Sequence, residues 1–370
     1  MVMADPILCS LQHNRAEAGA AAVKPAVKPL KLGVHTNKHN GQSIMKTRIT
    51  ELFGIKYPII QGVIHYVGYA ELASAVANAG GLGLITGLTQ PTPEALAKEI
   101  ARCRTMTDQP FGVNLTFLPS FKKPPYPEYI DAIIEGGVKA VETAGRNPEV
   151  HLPRLKAAGI KVIHKCTSVR HALEAERIGC DAVSVDGFEC GGHPGEDDVP
   201  NMILLPRVAE ELKIPFVGSG GMADARSLVA ALALGAEGIS MGTRFVATKE
   251  APVHETVKHA LVEADLLQTR LIMRRLRNTE RVLTNQAVDE ILRLEEEKDE
   301  AITIADIRPL VAGTQSRKVL QDGEMDAAAW SCGMVAGLIH DIPTVKELID
   351  RIMSDAALLI RGRLEGMLTA

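Results

Sequence analysis

The stretch Pro215-Phe216-Val217-Gly218-Ser219-Gly220-Gly221 is followed, one helix further on, by Gly238-Ile239-Ser240-Met241-Gly242-Thr243-Arg244. Each segment reads as a short buried strand running into a glycine-containing turn. Between them, Asp224 to Leu234 reads as a helix. Strand, glycine loop, helix, strand, glycine loop is the order of parallel βα units. Glycines at such turns let backbone N–H groups approach an anion closely, and a helix N-terminus adds a favourable dipole. The same glycines also serve plain tight turns; two such loops at successive strands favour a phosphate site.

The pattern continues upstream. Strands are predicted at Pro58–Ile64, Gly83–Thr86, Phe111–Phe117, Lys139–Thr143, Lys161–Cys166 and Ala182–Asp186. Helices are predicted at Tyr69–Ala79, from Thr92-Pro93-Glu94 onward, at Tyr126–Glu135, up to Ala158, at Ser168–Ile178 and at Leu204–Leu212. Eight evenly spaced units over roughly 190 residues predict a (β/α)8 TIM barrel rather than an open doubly wound sheet. After the eighth strand the regularity breaks into a charge-rich helical region that includes Glu290–Glu300. Thr344–Glu365 then has an apolar face and is expected to close the barrel. The expected organisation is a barrel of residues 45–254 plus 342–370, with a helical insertion, 255–341, acting as a lid.

Residues 1–44 are rich in Ala, Lys, His and Asn and lack periodicity. They are expected to form a disordered leader without a catalytic role, a targeting leader being a weak match. A formal net charge of −4 gives no reason to expect nucleic acid or an anionic membrane. No apolar run is long enough for a membrane span. The six cysteines (Cys9, Cys103, Cys166, Cys180, Cys190, Cys332) include no C-x-x-C pair. A disulfide framework or metal site is therefore not expected, and a cytoplasmic setting is.

Barrel active sites lie at the C-terminal strand ends. There the sequence places Asp186-Gly187-Phe188-Glu189-Cys190-Gly191-Gly192-His193-Pro194-Gly195, in which His193 is a candidate base or an ordinary loop histidine. His164-Lys165-Cys166 ends the fifth strand. A lysine there is rarely for packing, because burying an unpaired ammonium is costly. Cys166 reads as core. Asn114, ending the third strand, either binds a ligand or ties down its own loop.

Taken in order, Pro58 to Gly62, Ala79 to Gly83, Phe111 to Leu115, Asp186 to His193, Gly218 to Gly221 and Met241 to Phe245 resemble the motifs of the nitronate monooxygenase (2-nitropropane dioxygenase-like) FMN barrels. The resemblance implies non-covalent FMN and a nitronate oxidised with O2 to a carbonyl compound and nitrite. It implies Gln61 and Gly62 under the isoalloxazine, Lys165 near its pyrimidine edge, and Ser219, Gly221, Gly242 and Thr243 on the phosphate. Asn114, Asp186, Gly191, Gly220 and Met241 complete the implied cofactor-binding set, and His193 becomes the base for a neutral nitroalkane. Many members follow Gln-Gly with Gly-Met; this chain has Val63-Ile64, which alters the space over the flavin. The His-Lys-Cys and Gly192–Asp198 stretches are also similar to NAD(P)H:quinone reductases on the same scaffold. An FMN-dependent enoyl-acyl carrier protein reductase and a non-catalytic flavin-binding protein are further alternatives. An oligomer is compatible with the sequence.

Overall fold

The computed structural model describes residues 45–117 and 124–368, so the expected leader, 1–44, lies outside the described residues. The chain opens with α1 (Arg48–Phe53), β1 (Ile59–Gln61), α2 (Ala70–Asn78), β2 (Gly83–Thr86), α3 (Pro93–Arg104), β3 (Phe111–Phe117) and α4 (Tyr126–Glu135). It continues through β4 (Ala140–Gly145), α5 (Leu152–Ala157), β5 (Lys161–Cys166), α6 (Val169–Arg177), β6 (Ala182–Asp186), α7 (Asn201–Glu211), β7 (Phe216–Ser219), α8 (Ala225–Ala233), β8 (Ile239–Met241) and α9 (Thr243–Val246). All eight strands pair in parallel in the order β1-β8-β7-β6-β5-β4-β3-β2. The bridge between Ile60 and Leu82 joins the two ends, so the sheet closes into a TIM barrel.

Local chemistry explains much of this order. Thr92 caps α3 by accepting from the Ala95 N–H, with Pro93 in its first turn. Asp224 and Ser227 form a reciprocal capping box on α8. On one side of the wall, Ile60, Leu82, Leu84, Ala140, Ile163, Ala182 and Val217 fill the barrel, and Ile49, Phe53 and Ile55 from the α1 region join that cluster. Burying this interior closes one end of the barrel and leaves the other, at the strand C-termini, for polar groups. A Cβ on Gly83 would stand 1.8 Å from the Ala73 carbonyl oxygen, which shows how closely β2 and α2 approach.

Three elements differ from the sequence expectation by three residues or more at one end. β1 covers only Ile59–Gln61, because the chain leaves the sheet after Gln61. α7 begins at Asn201, three residues earlier than expected, because the carboxylate of Glu189, a distant residue, accepts its first N–H at 3.1 Å. The C-terminal helix α14 (Val345–Leu358) gives way to a wider π turn over Leu359–Leu364.

Before α14, the chain between β8 and the closing helix contains α10 (Glu255–Glu263), β9 (Thr269–Ile272), β10 (Glu280–Leu283), α11 (Gln286–Lys298), α12 (Ile304–Val311) and α13 (Gly313–Arg317). The insertion is mainly helical, but it also carries an antiparallel β9–β10 hairpin that the sequence reading did not predict. It buries a small core of its own, including Ile272, Val282, Ile291 and Ile307. Among the described residues, no helix is long and apolar enough to cross a membrane, and no group of three or more His, Cys, Asp or Glu side chains could hold a metal ion. The five described cysteines are free and buried.

Candidate functional site

A cavity of about 840 Å³ opens at the C-terminal ends of the strands, near the upper end of the usual range for small-molecule sites. The structure brings Gly62, Asn114, Lys165, Asp186, Gly191, His193, Ser219, Gly220, Gly221, Gly242 and Thr243 to its wall. Gln61 and Met241 are not brought there. Period-two alternation turns both to the other side of their strands from Ile60 and Ser240, which face the barrel interior.

Gln61 has a different task in this geometry. Its buried amide donates to the Leu84 carbonyl at 2.9 Å and accepts from the Leu84 N–H at 3.2 Å. β1 is too short to pair with β2 at that level. The side-chain amide replaces the missing peptide group and closes the seam.

The two glycine loops lie at the end of β7 and the end of β8. Gly220 and Gly221 have φ values of +86° and +73°, open to glycine at little cost. A Cβ on Gly220 would stand 2.9 Å from the Cys190 N. The Asn201 side chain donates to the Ser219 and Gly220 carbonyls, both at 2.7 Å. The loop carbonyls are thereby engaged, while the Gly220 and Gly221 N–H groups donate to no acceptor among the described residues. The N-terminus of α8 is not available in the way the sequence suggested. Asp224 already accepts its Arg226 and Ser227 N–H groups. An anion here would rest on the loop N–H groups. Arg244, next in the second loop, is buried and pairs with Asp341, so it anchors the loop to the segment before α14. Its burial lowers the guanidinium pKa to about 10, against the opposing pull of Asp341.

Deeper in the barrel lies a charged cluster. Lys165 Nζ is 3.7 Å from Glu142 Oε1 and 3.8 Å from Asp186 Oδ2. Asn114 donates to Glu142 Oε2 at 2.9 Å and accepts from the Thr116 hydroxyl at 2.9 Å. Glu142 is fully buried. Burial raises its carboxyl pKa, opposed by Lys165. Burial lowers the Lys165 pKa, but Asp186 and Glu142 outweigh it and hold the ammonium above its ordinary value. Asp186 Oδ1 has no hydrogen-bond partner among the described residues. Sequence reasoning missed Glu142 and Asn201. The signal for Glu142 was a carboxylate inside the otherwise apolar Ala140-Val141-Glu142-Thr143 run. Asn201 left none that local pattern could read.

His193 lies on the exposed loop between β6 and α7, at the cavity wall. That loop is stitched to the insertion hairpin. Gly192 and Arg281 exchange backbone hydrogen bonds at 3.0 and 2.7 Å. Glu196 accepts from the Thr279 N–H and hydroxyl, and Asp198 from Arg274. The Arg281 guanidinium lies 4.5 Å from the Phe188 ring centroid. Ser331, Gly333 and Val335 of the insertion also line the cavity, and the Gly333 N–H donates to the Thr243 hydroxyl at 3.0 Å.

Residues 46–355 match the protein family described as nitronate monooxygenase. The chain belongs to the nitronate monooxygenase family. Within that setting its relatives diverge in activity. A Rhodococcus jostii (strain RHA1) protein named (3aS,4S,5R,7aS)-5-hydroxy-7a-methyl-1-oxo-octahydro-1H-indene-4-carboxyl-CoA dehydrogenase is 33% identical, over 85% of this chain and 96% of its own. A probable nitronate monooxygenase of Staphylococcus saprophyticus is 34% identical over 62% of this chain and 76% of its own. FabK from Thermotoga maritima has a similar structure, with a TM-score of 0.81 and 34% identity, over 88% of this chain and all of that one. Nitroalkane oxidase from Streptomyces ansochromogenes follows with a TM-score of 0.73 and 25% identity, over 85% of this chain and 99% of that one. This member of the family is an oxidoreductase; its substrate is a separate question.

Proposed function

We propose that this chain is an FMN-dependent oxidoreductase that oxidises alkyl nitronates with O2 to carbonyl compounds and nitrite. The observation that carries the reading is the meeting of the Gly220-Gly221 N–H cradle, the Lys165 ammonium and His193 at one cavity. FMN fits these groups. Its phosphate would take the unpaired N–H groups of Gly220 and Gly221, with Ser219, Gly242, Thr243 and Gly191 around it. Lys165 would face the edge of the isoalloxazine where negative charge develops, with Asn114 and Asp186 beside it and Gly62 beneath the ring. Bound FMN would supply two-electron transfer from the substrate carbon and reaction with O2. His193, on the wall of the same cavity, would orient an anionic nitronate and take the α-proton of a neutral nitroalkane.

Two variants follow. Gly220→Ala places a Cβ against Cys190 in an unfavourable backbone region, so it is expected to be purified largely colourless and to regain flavin only at raised FMN concentration. Fluorescence titration with FMN checks this, and unchanged affinity would remove the loop from the phosphate site. His193→Asn is expected to keep its flavin and to lose about 10²- to 10⁴-fold in turnover of neutral nitroalkane, the usual contribution of a general base. The preformed nitronate should be affected much less, as steady-state kinetics on both forms would reveal.

A second reading is nicotinamide-dependent quinone reduction on the same flavin. It is favoured by the Gly192–Asp198 stretch, which in this chain clamps the insertion over the mouth through Glu196 and Asp198. The deciding experiment is anaerobic reduction of the yellow protein by propionate 3-nitronate, by NADH, or by an alicyclic carboxyl-CoA thioester of the kind named for the Rhodococcus relative. Bleaching by the nitronate alone supports the first reading. Bleaching by NADH with reoxidation by a quinone supports the second, and bleaching only by the thioester replaces both.

A further inference from the structure

The barrel interior changes character over a single pleat. Ala140, Ile163 and Ala182 belong to its apolar fill. Two residues further along the same strands, and therefore on the same face, stand Glu142, Lys165 and Ser184. Asn114 lies opposite Glu142 in register, and Lys165 opposite Ser184. This polar layer sits between the apolar fill and the cavity. Lys165 and Asp186 reach the cavity wall. Glu142 and Ser184 lie below them, both 0% exposed.

The layer is short of hydrogen bonds. Glu142 Oε1, Ser184 Oγ and Asp186 Oδ1 have no partner among the described residues. Lys165 Nζ stands 3.7 and 3.8 Å from the two carboxylates, too far for direct hydrogen bonds. Its N–H groups are thereby left for an occupant of the cavity. Its charge is still felt by both carboxyl groups, because Coulomb attraction falls only as the inverse of distance. Two carboxyl groups stand against one ammonium. The Asn114 amide, the Ser184 hydroxyl and the Cys190 thiol, which burial pushes up, bring no charge to the cluster. Burial also raises the Glu142 carboxyl pKa, and Lys165 opposes that rise.

We propose that Glu142 sets the redox poise of bound FMN through Lys165. Its carboxylate offsets the ammonium that would otherwise favour the negative charge of reduced flavin, and so lowers the midpoint potential. Glu142 is a positioning residue, beneath the cavity and not on its wall. The inference rests on the placement of FMN beside Lys165, not on which donor reduces it. A lowered potential makes reduced FMN the better electron donor to O2 or to a quinone.

The test is the midpoint potential of the flavin-loaded protein, measured against redox dyes from acid to neutral pH. At neutral pH Glu142→Gln is expected to shift the balance about ten-fold toward reduced FMN, about 30 mV upward for a two-electron couple. The difference from the native protein should vanish in acid, where the native carboxyl also carries a proton. Glu142→Asp keeps the charge and should stay within about two-fold of the native balance. A Glu142→Gln shift that is absent, or equal at every pH, would overturn the proposal. The double variant Glu142→Gln/Lys165→Met tests the placement of the flavin separately. With FMN beside Lys165, its potential lies below that of Glu142→Gln; equal potentials mean that the flavin lies elsewhere, and placement and inference fall together. A lower double variant with Glu142→Gln at the native potential sinks the inference alone. A protein that takes up no FMN ends both. If Glu142→Gln does not fold, the native protein decides. By reciprocity, a carboxylate that disfavours reduction binds its proton more tightly once the flavin is reduced. The reduced-minus-oxidised infrared difference spectrum should then gain a protonated carboxyl band, and a spectrum without that gain at any pH in the series rejects the proposal.

Discussion

Replacing Gln61 by leucine is expected to cost about 2–6 kcal/mol of stability, since it leaves two buried backbone groups unpaired at roughly 1–3 kcal/mol each. The Leu84 N–H and C=O have the Gln61 amide as partner, and Leu84 is fully buried. Leucine matches the side chain in size but offers neither a donor nor an acceptor. Because the seam joins the first and second strands, its loss opens the barrel where the sheet is held by the single Ile60–Leu82 bridge. Urea unfolding should record a lower midpoint. A variant with the native midpoint but weakened FMN binding would instead make Gln61 a flavin contact, as the family resemblance implied.

The second large effect is expected from Lys165→Met. The substitution leaves Glu142 and Asp186 in the barrel with no cation between 3 and 4 Å, where each now has Lys165 at 3.7 and 3.8 Å. Breaking a buried ion pair by removing one partner typically costs 3–5 kcal/mol, and about that loss is expected at neutral pH. The pH dependence gives the mechanism a separate check. Glu142 already has a raised folded-state pKa, from burial. Such a carboxyl binds its proton more tightly folded than unfolded, so its contribution is present below the unfolded value of about 4.3 and is lost as pH rises through the folded value. Without Lys165 the folded value climbs further. The deficit of the variant should therefore shrink in acid and widen toward neutrality. The native Lys165 has the same sign at higher pH: its stabilisation is full below about 10.4 and is lost only as pH rises through its raised folded value. A deficit independent of pH would mean that packing, not charge, accounts for the loss.

How much of this was legible beforehand follows the range of the forces involved. Gly83–Thr86, Phe111–Phe117, Tyr126–Glu135, Lys161–Cys166 and Ala182–Asp186 have the bounds read from the sequence. In these segments β-branched runs, glycine stops and helical spacing act within a few residues. α7 was read too short because Glu189, from a loop before it, caps Asn201. The β9–β10 hairpin was missed because its stability comes from contacts with Gly192 and the insertion core rather than from a turn signature. The candidate site divides in the same way. Glycine loops and the histidine motif announced themselves by composition, whereas Glu142 looked like one charged residue in a strand.

The sequence by itself determined the repeating βα order, the position of the glycine loops after the seventh and eighth strands, and membership of a family with a recognisable set of motifs. These follow from local backbone preference and hydrophobic period, which need no knowledge of what lies across the barrel. Tertiary structure alone decided that Gln61 closes the seam and that Lys165 stands between two carboxylates. Each of these is a pairing of polar groups far apart in the chain. Hydrogen bonds and desolvated charges depend on distances of a few ångströms, and those distances exist only once the strands have closed on one another.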